Sequence, residues 1–284
     1  MRHPIFLTLC LSSAIALAAC EDSSNSADVK RAIKDINVID ESNLNDIMLT
    51  VADPNEGVLY YKKAVLSDPS RMDFHRGLAV SLVRAKKPDE SLSSWKTVVA
   101  SSEGTSTDQV DYADALIRSN KWDEAEVVLD QVSPTVETFK RYRLEAMVAD
   151  SNKEWTKADS YYETAVGLTT TPANVLNNWG YSMLTRGNYA RAEKLFGESI
   201  SYDTKLFTAK NNLVLARGAQ RNYEMPIVPM TQEERALLLH TMALTAVKQG
   251  DVATGKGLLK ESIDTHPQHF EAAVRSLTAL EGGA

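Results

Sequence analysis

A small side chain returns along this chain at nearly constant intervals. Gly57, Ser91, Ala125, Ala158 and Ala192 are separated by 34, 34, 33 and 34 residues. Four positions after each comes a large side chain: Tyr61, Trp95, Leu129, Tyr162, Phe196. Seven positions after come Ala64, Val98, Val132, Ala165 and Ser199. Offsets of four and seven fall on one face of an α-helix, so each block is a helix carrying a small–large–small stripe. The stripe needs a partner with an equally short side chain, and the stretch from Asn174 to Thr204 supplies one. There Gly180 precedes Ala192 by twelve residues, with Gly187-Asn188-Tyr189 between them as a turn. Two antiparallel helices can then meet at Gly180 and Ala192, while Trp179, Met183 and Phe196 fill the volume on either side. One such pair cannot cover its own apolar face, which is why the pattern has to repeat.

The repeating unit resembles the tetratricopeptide (TPR) repeat, a 34-residue helix–turn–helix; Met183 stands where an aromatic is usual. No segment shows the period-two alternation of a half-buried strand. The expected fold is therefore all-α, a TPR superhelical solenoid of antiparallel helix pairs. The register divides residues 38–284 into repeats at about 38–71, 72–105, 106–138, 139–172 and 173–206, and a half repeat at 207–223. A proline-containing link at 224–231, a repeat at 232–269 and a capping helix at 270–281 follow. The first repeat is degenerate, with Asn45 where a small residue belongs. Half repeat 207–223 has a clear first helix, but Pro226 falls where the small residue of its second helix belongs. With Pro229 it forbids a helix there. Thr231 and Glu234 have the spacing of a capping box that restarts a helix.

The N-terminus is a separate matter. Arg2, the short apolar run Ile5–Ala16 and Leu17-Ala18-Ala19-Cys20 read as a secretory signal peptide over residues 1–19. An apolar run this short does not span a bilayer as a stable helix. The LAAC ending resembles a bacterial lipobox, which implies cleavage before Cys20 and lipidation of its thiol; ordinary signal cleavage with an incidental Cys20 is the weaker alternative. Cys10 leaves with the signal, so the mature chain keeps no thiol for a disulfide. Residues 20–37 read as the lipidated N-terminus and its tether. The expected location is the bacterial cell envelope, lipid-anchored, at the periplasmic face of the outer membrane.

Chemistry is sparse. His266 and His269 flank Pro267, a repeat boundary and not a helix that aims two rings at one metal, and His240 reads as a packed or surface side chain. No phosphate-binding glycine loop, nucleophile elbow or HExxH motif occurs. No catalytic, cofactor-binding or metal site is assigned, and no small-molecule substrate. A net charge of −7 leaves no basic stripe for nucleic acid. The better candidate is the inner surface, lined by the first helix of each unit, where an extended peptide can lie. Arg76, Lys140, Arg143, Asn177, Asn178, Tyr181, Asn211 and Asn212 fall at its exposed positions. The asparagine pairs recur at 34 residues, which predicts that they sit side by side on adjacent units. Amides can both donate to and accept from a peptide backbone. Asn178 and Asn212 also fit a plain repeat-consensus role.

The run NLNDIMLTVADPNEGVLYYKKAV, the run RYRLEAMVADSNKEWTKADSYYETAVGLTT and the late VPMTQEERALLLH together resemble the TPR lipoproteins of the tight-adherence (Flp) pilus system, the TadD family. The resemblance covers essentially the whole mature chain; its most specific part is the proline break before TQEERALLLH. It implies a scaffold that binds protein partners, the pilus secretin or associated assembly proteins, during assembly of the secretion machinery. The competing reading is another envelope scaffold, serving outer-membrane-protein assembly or peptidoglycan synthesis. An enzyme would need a buried polar cluster, and the sequence presents none.

Overall fold

The structure, a computed structural model, describes residues 44–282 other than Asp46. The signal peptide, Cys20, the tether and the first residues of the first repeat lie outside the described residues.

A helical stretch at residues 47–50 leads into α1 (Pro54–Ser67). Then come α2 (Met72–Arg84), α3 (Pro88–Ala100), α4 (Ser106–Arg118), α5 (Trp122–Asp130), α6 (Phe139–Ser151) and α7 (Trp155–Gly167). They are followed by α8 (Ala173–Thr185), α9 (Tyr189–Tyr202), α10 (Phe207–Ala219), α11 (Gln232–Lys248), α12 (Val252–Thr265) and α13 (Glu271–Gly282). The described residues contain no strand. Helices pack mainly on their chain neighbours, in the order of a TPR solenoid.

The starts of these helices follow from local chemistry. Asp53, Asn188 and Asp251 accept backbone N–H bonds at the head of α1, α9 and α12, and Pro54 and Pro88 occupy first-turn positions where no N–H is needed. Thr105 and Asp108 close a full capping box on α4, and Thr231 and Glu234 close the expected one on α11.

The turns repeat as faithfully as the core. Lys86, Asn120, Lys153 and Gly187 each hold a left-handed φ between 58° and 78°, five residues before the small residue of the following helix. Gly250 does the same at 87° before Gly255. Arg221 ends α10 in that conformation too, at 59°, although no second helix follows it. Only glycine adopts this region without steric cost, so the lysines and the arginine are held there by the helices they join.

The stripe residues form the core. Ser91, Ala125, Ala158 and Ala192 are completely buried, as are Phe196 and, in the last full pair, Leu259. Gly180 leaves room for the Phe196 ring, which a Cβ there would meet at 2.7 Å. The serine seven positions after the small residue has its own task. Ser199 Oγ donates to the Ala173 carbonyl and Ser262 Oγ to the Ala236 carbonyl, both at 2.7 Å, pinning second helix to first.

Between α10 and α11 the chain runs without helix through 220–231. Tyr223, Met225 and Met230 pack on Val214, Leu238 and Met242, and Val228 reaches the cluster around α8 and α9. These four side chains cover apolar surface that a second helix would otherwise bury. Lys210, only 2% exposed, pairs with Glu234 at 2.9 Å and so ties α10 to the cap of α11.

Candidate peptide-binding groove

The first helices α6, α8 and α10 lie in succession, and a cavity of about 480 Å³ opens across them. Met147 and Asp150 come from α6, Asn177, Asn178, Tyr181 and Ser182 from α8, and Thr208 and Asn212 from α10. Trp122 and Trp155, the first residues of α5 and α7, close it from the turns. A second cavity of about 390 Å³ adjoins it and shares Trp122, Met147 and Asn178. The rest of its lining is Asp114, Arg118 and Arg143 with Ile117 and Asn174. Together the two form a continuous groove from α4 to α10.

Asp150 faces the larger cavity. Its Oδ1 accepts from the Ser182 hydroxyl at 2.6 Å and its Oδ2 from the Tyr162 hydroxyl at 2.9 Å. Burial pushes this carboxyl above its ordinary value, against the lowering effect of those two hydrogen bonds. Burial, with Asp150 beside it, also holds the Tyr162 phenol well above its usual value. Nearby, Asp159 is the opposite case. Burial works against its charge, but hydrogen bonds from Arg186 and from Trp179 Nε1 at 2.8 Å keep it below the usual carboxylate range. Arg186 reaches Asp159 at 2.6 Å and lies over the Trp155 ring, 5.2 Å from its centre.

The expected groove residues are placed as follows. Tyr181 is the most open, 54% exposed, and Asn177, Asn178 and Asn212 line the larger cavity with it, although Asn212 is buried and not at an exposed position as expected. Across adjacent units the asparagine pairs meet through Asn177 and Asn212. Asn212 Nδ2 donates to Asn177 Oδ1 at 3.0 Å, while Asn211 Oδ1 accepts from the Thr241 hydroxyl at 2.9 Å and lines neither cavity. Asn178 Nδ2 points at the Met147 sulfur, 3.3 Å away. Arg143 lines the smaller cavity; it is largely buried, burial lowers its pKa, its Nε has no partner, and its nearest carboxylate is Asp114 at 3.8 Å. Lys140 is paired with Asp111 and reaches Asp114 at 3.7 Å. Arg76 lines neither cavity; it forks onto Asp108 at 2.7 and 3.0 Å and onto the Glu103 carbonyl, bracing the cap of α4.

The sequence reading missed Trp122, Trp155, Met147, Asp150 and Ser182. A signal for the tryptophans existed: an aromatic recurs three residues before the small residue, as Trp122, Trp155 and Tyr189. Among the described residues, His266 packs on Phe270 and His269 pairs with Glu271. Among the described residues no group of three or more His, Cys, Asp or Glu side chains could hold a metal, and no helix is long and apolar enough to cross a membrane.

No protein-family model matches this chain, and no curated protein matches it. Solved structures do. The chain is similar to one in the APC/C hetero-tetramer Cut9–Hcn1, with a TM-score of 0.59 at 14% identity over 80% of this chain and 46% of that one. It is similar to a tetratricopeptide repeat protein from Parabacteroides merdae, with a TM-score of 0.55 at 12% identity over 87% and 96% of the two chains. It is also similar to human IFIT1, crystallised as a dimer with PPP-AAAA, with a TM-score of 0.55 at 14% identity over 80% and 59%. At such identities the likeness is one of fold: this chain is a TPR solenoid.

Proposed function

We propose that this protein is a non-enzymatic scaffold of the bacterial envelope, anchored through a lipid on Cys20, that holds an extended segment of a protein partner in the groove across α6, α8 and α10. The carrying observation is the groove itself. A cavity of about 480 Å³ spans three successive units, walled by aromatic rings and edged by amides that can bond a peptide backbone. The resemblance of VPMTQEERALLLH and its companion runs to the TadD family supports a partner in the tight-adherence pilus machinery, the secretin or a protein assembled with it. The lipobox-like LAAC site supports membrane attachment, and the resemblance to the TadD family supports the periplasmic face of the outer membrane.

Two measurements test this. A photo-crosslinking residue at Tyr181, applied in intact envelopes, should capture a pilus-assembly component. Capture of the outer-membrane-protein or peptidoglycan-synthesis machinery instead would move the protein to that role, and no groove adduct would remove the groove. Cys20→Ser should leave a folded protein that no longer pellets with membranes; a variant that still pellets at high salt would overturn the anchor.

A further inference from the structure

Asp150 is a half-buried carboxylate without a direct ion-pair partner: Arg186 lies near enough to favour its charge but is bound to Asp159. Several other partly buried acids meet cations: Asp108 with Arg76 at 2.7 Å, Glu145 with Arg141 at 2.8 Å, Asp159 with Arg186 at 2.6 Å. Among the described residues no Lys, Arg or His comes within ion-pair distance of Asp150; its contacts are the neutral hydroxyls of Ser182 and Tyr162. A half-buried carboxylate without a counter-charge costs stability, and such groups concentrate at functional sites. Its two hydrogen bonds leave further lone pairs on both oxygens. Of the nearby cations, Arg186 is bound to Asp159 and Arg143 lies 3.8 Å from Asp114.

The walls in front of Asp150 are aromatic. Trp122, Trp155 and Tyr181 line the same cavity, and the face of such a ring attracts a cation. Trp155 already carries the Arg186 guanidinium on its ring. The cavity, about 480 Å³, exceeds what a single side chain fills.

We propose that this cavity is the anchor pocket for an arginine of the bound segment, with its guanidinium on the Asp150 carboxylate and its flat face against the aromatic wall. A planar, bidentate donor suits a carboxylate flanked by rings better than an ammonium does. The inference rests on the groove reading above and specifies its ligand.

The test uses the full chain in detergent with its four tryptophans replaced by 5-fluorotryptophan, so that each ring reports separately. The probes are acetylated, amidated Gly-Gly-X-Gly-Gly peptides in which X is arginine, its neutral isostere citrulline, or glutamate. The arginine peptide should move the Trp122 and Trp155 signals and leave the buried Trp95 still, binding about ten-fold tighter than citrulline, the worth of one charge-assisted contact. Asp150→Asn, checked for an unchanged helical spectrum, should bring arginine and citrulline to parity. Tyr181→Ala, at an exposed position, should weaken arginine binding with the fold intact. Equal binding of arginine and citrulline, preference for glutamate, or an Asp150→Asn protein that keeps the preference would overturn the arginine pocket and leave the groove standing. If no peptide moves Trp122 or Trp155, pocket and groove fall together.

Discussion

Gly180→Ala and Gly197→Ala are the same substitution, one in each helix of the α8–α9 pair, and they should act in opposite directions. In both, alanine replaces glycine inside a helix, which favours the folded state by about 1 kcal/mol. The surroundings differ. A Cβ on Gly197 meets nothing within 4 Å, whereas one on Gly180 lies 2.7 Å from Phe196 Cε1 and 2.8 Å from Cδ1. Carbon atoms rest about 3.5–4.0 Å apart, so the overlap is close to 1 Å. Phe196 is completely buried and its ring has nowhere to withdraw. Overpacking of this kind costs about 1–3 kcal/mol. Gly197→Ala should therefore stabilise by about 1 kcal/mol, and Gly180→Ala should destabilise by up to about 2 kcal/mol once the helix gain is subtracted. The gap between the two variants isolates the steric term, since the propensity gain cancels. Urea denaturation followed by circular dichroism and by tryptophan emission measures it. On a Phe196→Leu background the Gly180→Ala penalty should disappear, because the ring that causes it is gone. Equal stabilisation by both alanines would show that Gly180 is not at the helix contact, and the small-residue argument for the repeat would fail with it.

Ala192→Leu, at the completely buried stripe position beside Phe196, should cost about 1–3 kcal/mol by overpacking, and an unchanged melting temperature would remove Ala192 from the core. Lys210→Met leaves Glu234 without its cation but with the Thr231 N–H, so a loss of about 1–3 kcal/mol is expected in urea titrations, with the fold around α11 loosened first. Burial holds His240 below the ordinary histidine value, so the neutral ring is favoured in the folded state and the unfolded chain takes up the proton first. That contribution is full above about pH 6.5 and is lost as pH falls through it, so the urea midpoint should drop from pH 7.5 to 5.5 and drop less in His240→Phe. Asp150→Asn should not destabilise at pH 7, because the carboxylate it removes is desolvated and unpaired; a lower melting temperature would make Asp150 a structural residue.

The solenoid was legible because its signal is additive. Each small–large–small stripe is weak alone, but Gly57, Ser91, Ala125, Ala158 and Ala192 repeat it in one register, and all five are buried. The turns were half legible. Gly187 and Gly250 announce a left-handed residue, but Lys86, Lys153 and Arg221 adopt the same backbone with side chains that ordinarily avoid it. The groove was less legible still, for a reason of distance. Where a long polar side chain ends depends on partners about thirty residues away. Arg76 finds Asp108, Lys140 finds Asp111 and Asn211 finds Thr241, and nothing local to those residues foretells it. Tyr181, Asn177 and Asn178 line the cavity, Asn177 against Asn212 and Asn178 against Met147 on the adjacent units. Asp150 escaped notice because an acid in a helix usually marks a solvated face. Only the hydroxyls of Tyr162 and Ser182, one on each side, reveal that this one turns inward.

The break after α10 sets where the groove can end. Arg221 keeps the turn that should launch a second helix, and Pro226 then stands at the position of its small residue. A helix is impossible there, so the apolar surface it would have covered must be met otherwise, and Tyr223, Met225, Val228 and Met230 meet it from an extended chain. Extended chain is thinner than a helix, so α11 comes directly onto α10: a Cβ on Gly218 would sit 2.6 Å from Thr245. The same approach brings the Thr241 hydroxyl onto Asn211 Oδ1. Asn212, one residue on, stays in the cavity lining with its amide on Asn177. Along the chain, α10 is the last helix that lines the larger cavity. Proline at 226 thus acts at a distance, through the packing it forces, on where the cavity lining ends.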